Sequence, residues 1–166
     1  MASNPLDLYI GKGILSFTPD GGVKRDLGEV DTFAVTPALE KIEKKGNRAG
    51  VKSTVRTVIV EKSATFNFVM SEFSVENLAL GMLGELDTAG TTLDIFKLSE
   101  VKGALEYVGT NDIGPRFTVL LPNVSITPQG EVGFITDEWG TLEVSGDVNL
   151  DGTGSFGTVT QTRAGQ

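Results

Sequence analysis

The chain has no cysteine and no histidine. The first absence excludes disulfides, thiolate metal sites and a cysteine nucleophile. The second removes imidazole ligands and every serine–histidine triad. Aromatics are sparse, with one Trp and two Tyr beside nine Phe in 166 residues. No apolar run approaches the roughly 20 residues that span a bilayer as a helix. Met1 to Asp7 show no basic segment followed by an apolar one, so no signal peptide and a cytosolic origin are expected. What remains is an ordinary globular composition, 39% hydrophobic and 22% charged, of a length that suits one domain over residues 1–166. The 21 glycines point to many turns.

Charge is unevenly placed. The net charge of −8 disfavours sequence-independent binding to duplex DNA. Yet Lys41 to Lys62 hold seven of the fourteen basic residues against two acidic ones, a net +5, while the other 144 residues carry −13. This block contains no aromatic on which bases could stack. Gly46-Asn47-Arg48-Ala49-Gly50 suits a chain reversal, and Ser53 to Val60 is β-branched and basic, as a strand would be. The stretch reads as a long basic hairpin arm, residues 41–62, able to dock on an acidic surface, a second copy included. A solvated charged loop is the plainer alternative.

Around the arm the pattern is mainly β. Leu8 to Ile10 and Ile14 to Phe17 read as a strand pair or one bulged strand, followed by a turn at Pro19-Asp20-Gly21-Gly22. Thr32 to Pro37 alternates, with Pro37 ending the strand or marking a sheet edge. In Ala64 to Met70, Ala64, Phe66, Phe68 and Met70 share one face. Ser74 caps one short helix, about 74–84, whose Val75, Leu78, Ala79, Met82 and Leu83 form an apolar stripe, with Gly84 at its C-terminus. Thr91 to Leu98 is a weak strand. Further strands are expected at Leu105 to Val108, Arg116 to Leu121, Val124 to Thr127, Glu131 to Thr136, Thr141 to Leu150 and Ser155 to Thr162. Their spacing implies a β-sandwich or barrel.

Catalytic signatures are missing. Gly152 to Gly157 has glycines at dinucleotide-loop spacing but reads as a hairpin, with no helix to hold a phosphate. Asp137, Glu138 and Glu143 are expected as surface carboxylates, and Trp139 as a core residue rather than a sugar platform. Asp147, Asn149 and Asp151 with Gly152 match the first half of a calcium loop. Thr158 stands where the closing Glu belongs, and a strand with alternate residues outward explains the same pattern. No enzyme activity, cofactor or metal is expected.

The order of elements carries a resemblance. Leu27-Gly28-Glu29-Val30 and Phe33 to Pro37 precede the basic arm with Arg48-Ala49-Gly50. Glu61 to Phe66 and the helix Asn77 to Gly84 follow. Over residues 27–84 this resembles the tail tube (major tail) proteins of long-tailed bacteriophages. The resemblance implies a β-sandwich or barrel with one flanking helix, in hexameric rings stacked into a tube whose acidic lumen conducts DNA without specific binding during ejection. It implies that Lys44, Lys45, Arg48, Gly50, Lys52 and Arg56 form the contact to the next ring. Partners would be further copies, the tape measure, the tail terminator and the distal tail protein. The place would be the virion, after assembly in the host cytoplasm, with no membrane. An inner tube of a contractile tail or secretion system, and a monomeric carbohydrate-binding β module, are the alternatives.

Overall fold

The computed structural model describes residues 4–48 and 50–162. Among the described residues, ten strands and one α-helix follow in order: β1 Gly13–Pro19, β2 Arg25–Asp26, β3 Val30–Gly46, β4 Ser53–Met70, α1 Val75–Gly81, β5 Glu85–Leu86, β6 Leu93–Asp94, β7 Val101–Gly109, β8 Arg116–Pro128, β9 Leu142–Val148 and β10 Thr158–Thr162. Eight strands make one antiparallel sheet in the order β2-β1-β7-β8-β9-β4-β3, with β10 joined to β8; β5 and β6 form a separate pair. The mainly-β fold is the one the alternation implies.

The sheet curls until its far strands meet. Phe33 on the terminal strand β3 stacks on Tyr107 of β7, third from the other end, with ring centroids 5.8 Å apart. Alternation builds the enclosed core. Ala64, Phe66, Phe68 and Met70 of β4 face Leu15 and Phe17, Leu105, Leu121, Val124 and Ile126, and Leu142, Val144 and Val148. The outward residues between them, such as Thr65 and Asn67, are exposed.

Pro37 lies within β3 opposite Ala64. It is tolerated because β3 is the sheet edge and its outer side needs no donor. β8 runs unbroken where two strands are expected, because Pro122 falls at the register shift opposite Gly103 to Leu105 and so costs no ladder bond. β8 pairs with β10 over Arg116 to Leu120 and with β9 over Val124 to Pro128.

The helix is capped as its sequence implies, with the Ser74 hydroxyl accepting from Asn77 N at 3.1 Å. Its buried face differs from the apolar stripe: Asn77, Leu80 and Gly81 are buried, while Val75, Leu78, Ala79 and Met82 are half-buried. The cause is Asn77. Its amide donates to the carbonyls of Leu27 and Glu72, and its oxygen accepts from Arg25. This network turns a polar residue inward and pins the helix to the segment between β2 and β3. Burial lowers the pKa of Arg25, and Glu76 partly opposes the effect. The helix ends at Gly81, with Leu83 rather than Gly84 in the left-handed region at φ 46°. Gly84 N returns to Ala79 O at 2.9 Å, closing the end as a Schellman motif does. Burial of Leu83 in the core offsets its unfavourable backbone.

Several expected strands are absent. Leu8 to Lys12 is irregular after a 3-10 turn at Pro5–Asp7, since the β1–β7 ladder ends at Gly13 opposite Gly109. Thr91 to Leu98 reduces to the two residues of β6. Glu131 to Thr136 is a loop, because β9 leaves β8 beyond the pair Pro128–Val144 and no ladder partner remains. Gly152 to Gly157 does not join a paired hairpin, for β10 pairs with β8 and not with β9. Met1 to Ser3, Ala49 of the expected reversal, and residues 163–166 lie outside the described residues.

Candidate assembly interface

From Leu39 outward β3 pairs only with β4, and β4 meets β9 only from Ala64 onward. The two strands therefore leave the sheet as a lone ribbon. Eight residues from Leu39 to Gly46 carry it about 25 Å at strand rise. All residues of Leu39 to Lys45 and Ser53 to Lys62 are exposed. Leu39, Ile42, Val51, Val55, Val58, Ile59 and Val60 are among the exposed large apolar residues. A two-stranded ribbon with no covered face is marginal in water.

The expected contact residues fall on this ribbon as follows. Lys44 and Lys45 lie on β3 and Arg56 on β4. Arg48 and Gly50 lie in the reversal, where Gly50 takes φ +71°, and Lys52 directly precedes β4. Lys44 stands directly opposite Arg56, on the same face as the apolar pair Ile42–Val58. Lys45 faces Thr54 on the other side, so the six residues do not form one patch. Glu40 likewise opposes Glu61. Like charges directly across a ladder are destabilising. No arm cation makes an ion pair among the described residues; the four ion pairs found there join Lys24, Lys97 and Lys102 to carboxylates elsewhere.

At the foot of the arm the curled sheet opens into a cleft of about 1010 Å³, lined by Leu15, Phe33, Val35, Leu39, Tyr107 and Val159 among others. Its charged lining residues are Lys12, Lys62 and Asp31. The Tyr107 hydroxyl donates to Lys12 O at 3.0 Å and lies 3.1 Å from that of Tyr9. Burial, with help from Tyr9, pushes the Tyr107 pKa up to about 12.

The opposite end of the sheet carries a different surface. Residues 129–141 join β8 to β9 and hold Glu131, Asp137 and Glu138 with no basic residue. Phe134 is 68%, Ile135 100% and Trp139 94% exposed. Trp139 is thus not a core residue; it stands on a loop that no strand covers. The Thr136 hydroxyl accepts from Glu138 N and donates to Glu138 O, fixing a tight turn between Ile135 and Trp139. Sequence periodicity misreads this loop because apolar and acidic residues interleave there as in a strand. Gly130 and Gly133 were the contrary signal.

The half calcium loop is engaged locally. The Asp151 carboxylate accepts from Ser155 N, Thr153 N and the Thr153 hydroxyl, which lowers its pKa, the Ser155 bond most. Asn149 donates to the Ser125 hydroxyl, and Leu150 is half exposed.

These features define a curled β protein with a projecting basic ribbon at one end and an acidic, apolar loop at the other. The chain belongs to the family described as protein of unknown function UCP028589, whose model matches residues 8–93, a span that includes the arm and the helix. No curated protein matches it. Among solved structures, a chain of the virion of a native gene transfer agent particle is similar with a TM-score of 0.42 and 12% identity, over 97% of this chain and 99% of that one.

Proposed function

We propose that the protein is a structural subunit of a bacteriophage tail tube, built from hexameric rings whose acidic lumen lets DNA pass without binding it. The role is assembly in the virion and not catalysis. The observation that carries this reading is the lone ribbon: seven large apolar residues and a net +5 charge stand in water on a hairpin with no covered face. A partner surface that covers the ribbon supplies the apolar burial it lacks, and partner carboxylates relieve the Lys44–Arg56 opposition. The rest of the chain, at −13, offers such carboxylates on a neighbouring copy. Tape measure, terminator and distal tail proteins would meet the tube at its ends. Electron microscopy of concentrated protein tests this: rings or tubes with a central hole are expected, and dispersed single particles at all concentrations refute it. A second reading, a monomeric carbohydrate-binding module, draws on exposed Trp139, whose ring could stack on a sugar. It predicts dispersed particles and glycan-dependent quenching of Trp139.

A further inference from the structure

The cleft and the acidic loop lie at opposite ends of the sheet. Val148 of β9 lines the cleft, and Leu142 at the other end of the same strand adjoins the loop. Six strand steps separate them by about 20 Å. The loop therefore stands far from its own cleft, while the loop of another copy can approach it. The two surfaces match in chemistry. One is a concave apolar site with Lys12 and Lys62 against a single Asp31. The other is a trio of exposed apolar side chains among three carboxylates and no cation.

We propose that residues 129–141 of one copy insert Phe134, Ile135 and Trp139 into the cleft of the next, head to tail, with Glu131, Asp137 and Glu138 turned towards Lys12, Lys62 and the arm's cations. This rests on the self-assembly reading above and names the surface that meets the foot of the arm. The Thr136 turn holds Ile135 and Trp139 in place before contact, so little loop ordering opposes insertion.

The single Trp makes the test direct. On assembly, Trp139 emission should move to shorter wavelength, and acrylamide quenching should fall severalfold. Assembled particles in which Trp139 stays as quenchable as in dilute subunit overturn the insertion and leave the tube reading standing. A wild-type chain that never associates overturns both. Two double variants complete the test, all at exposed positions so that the fold, checked by circular dichroism, is kept. Ile135→Ser with Trp139→Ser removes the insert, and Leu39→Glu with Val159→Glu closes the cleft to an acidic loop. Each alone should associate at least about tenfold more weakly than wild type. Mixed, they retain one intact loop and one intact cleft, so they should associate more strongly than either variant alone, with the remaining Trp139 protected. A mixture no more associated than its parts refutes the head-to-tail contact.

Discussion

Arg56→Glu should stabilise the arm and weaken assembly at once. In the free subunit Arg56 stands directly across the ladder from Lys44, both exposed. A cross-strand charge pair contributes about 0.2–1 kcal/mol, with the sign set by the charges. Reversing one partner moves the pair from repulsive to attractive, a swing of about 0.4–2 kcal/mol in favour of the ribbon. Solvent screening at so exposed a site sets the expectation near the lower bound. In the assembly the proposed partner is a carboxylate, so the same change replaces one attraction by one repulsion. Each arm then loses about 0.4–2 kcal/mol, and six arms at a ring junction lose about 2–12 kcal/mol if they add. Hydrogen exchange should show greater protection of residues 40–46 and 53–60 in the dilute variant, and micrographs should show few or no tubes. Raising salt should narrow the difference between the two proteins. A variant with a more protected arm and tubes of normal length would refute the reasoning, since the arm's charge would then play no part in docking.

Phe68→Ala empties a fully buried position between Phe33 and Val144 in the ladder and should cost about 3–5 kcal/mol in chemical denaturation, without redirecting assembly below the midpoint. Gly146→Ala should cost about 1–3 kcal/mol, because the new Cβ would lie 2.1 Å from the Ser125 carbonyl and 2.7 Å from the Phe66 ring; an unchanged midpoint would show that β8 and β9 separate more easily than their packing implies. Tyr107 should ionise near pH 12 rather than 10 in a spectrophotometric titration. Its folded pKa is raised, so its contribution to stability is complete below about pH 10 and is lost as pH rises through about 12. Thermal melts that do not fall across that window would contradict this.

Much of the sheet was legible because alternation reports burial directly. Ala64 to Met70 shows four inward residues at period two, and all four are core. The arm was legible for the reverse reason: charge and β-branching without an apolar alternation mark a strand that buries neither face. Where the reading failed, a contact distant in sequence decided the outcome. Nothing local to Asn77 shows that Leu27, Glu72 and Arg25 wait to receive it, so the helix rotates away from its apolar stripe. Nothing local to Glu131 to Thr136 shows that β9 has already parted from β8. The expected contact cations fall on a projecting hairpin, and alternation alone divides Lys44 from Lys45; which of them meet across the ladder, Lys44 with Arg56, depends on the register shift after Glu40, which composition does not encode. Trp139 was misplaced because a large aromatic is ordinarily buried in its own chain. On the insertion proposed above, that burial moves to another copy.

The placement of charge also restricts the symmetry of any self-contact. An isologous pair brings the same patch of both copies together. Through the arm it would set a +5 ribbon against a +5 ribbon; through the loop it would set three carboxylates against three. Both arrangements add like charge to apolar contact and are disfavoured. A heterologous contact joins the basic end to the acidic end and satisfies both, and repeated contacts of that kind either close into rings or continue as filaments. The arm spans about 25 Å beyond the sheet, longer than the roughly 20 Å between cleft and loop. On the assembly reading proposed above, it is long enough to lie along an adjoining subunit over more than that span. A subunit with a short contact at the foot of the arm and a long one along the ribbon can hold two neighbours at different heights, which a stacked tube requires and a closed dimer does not.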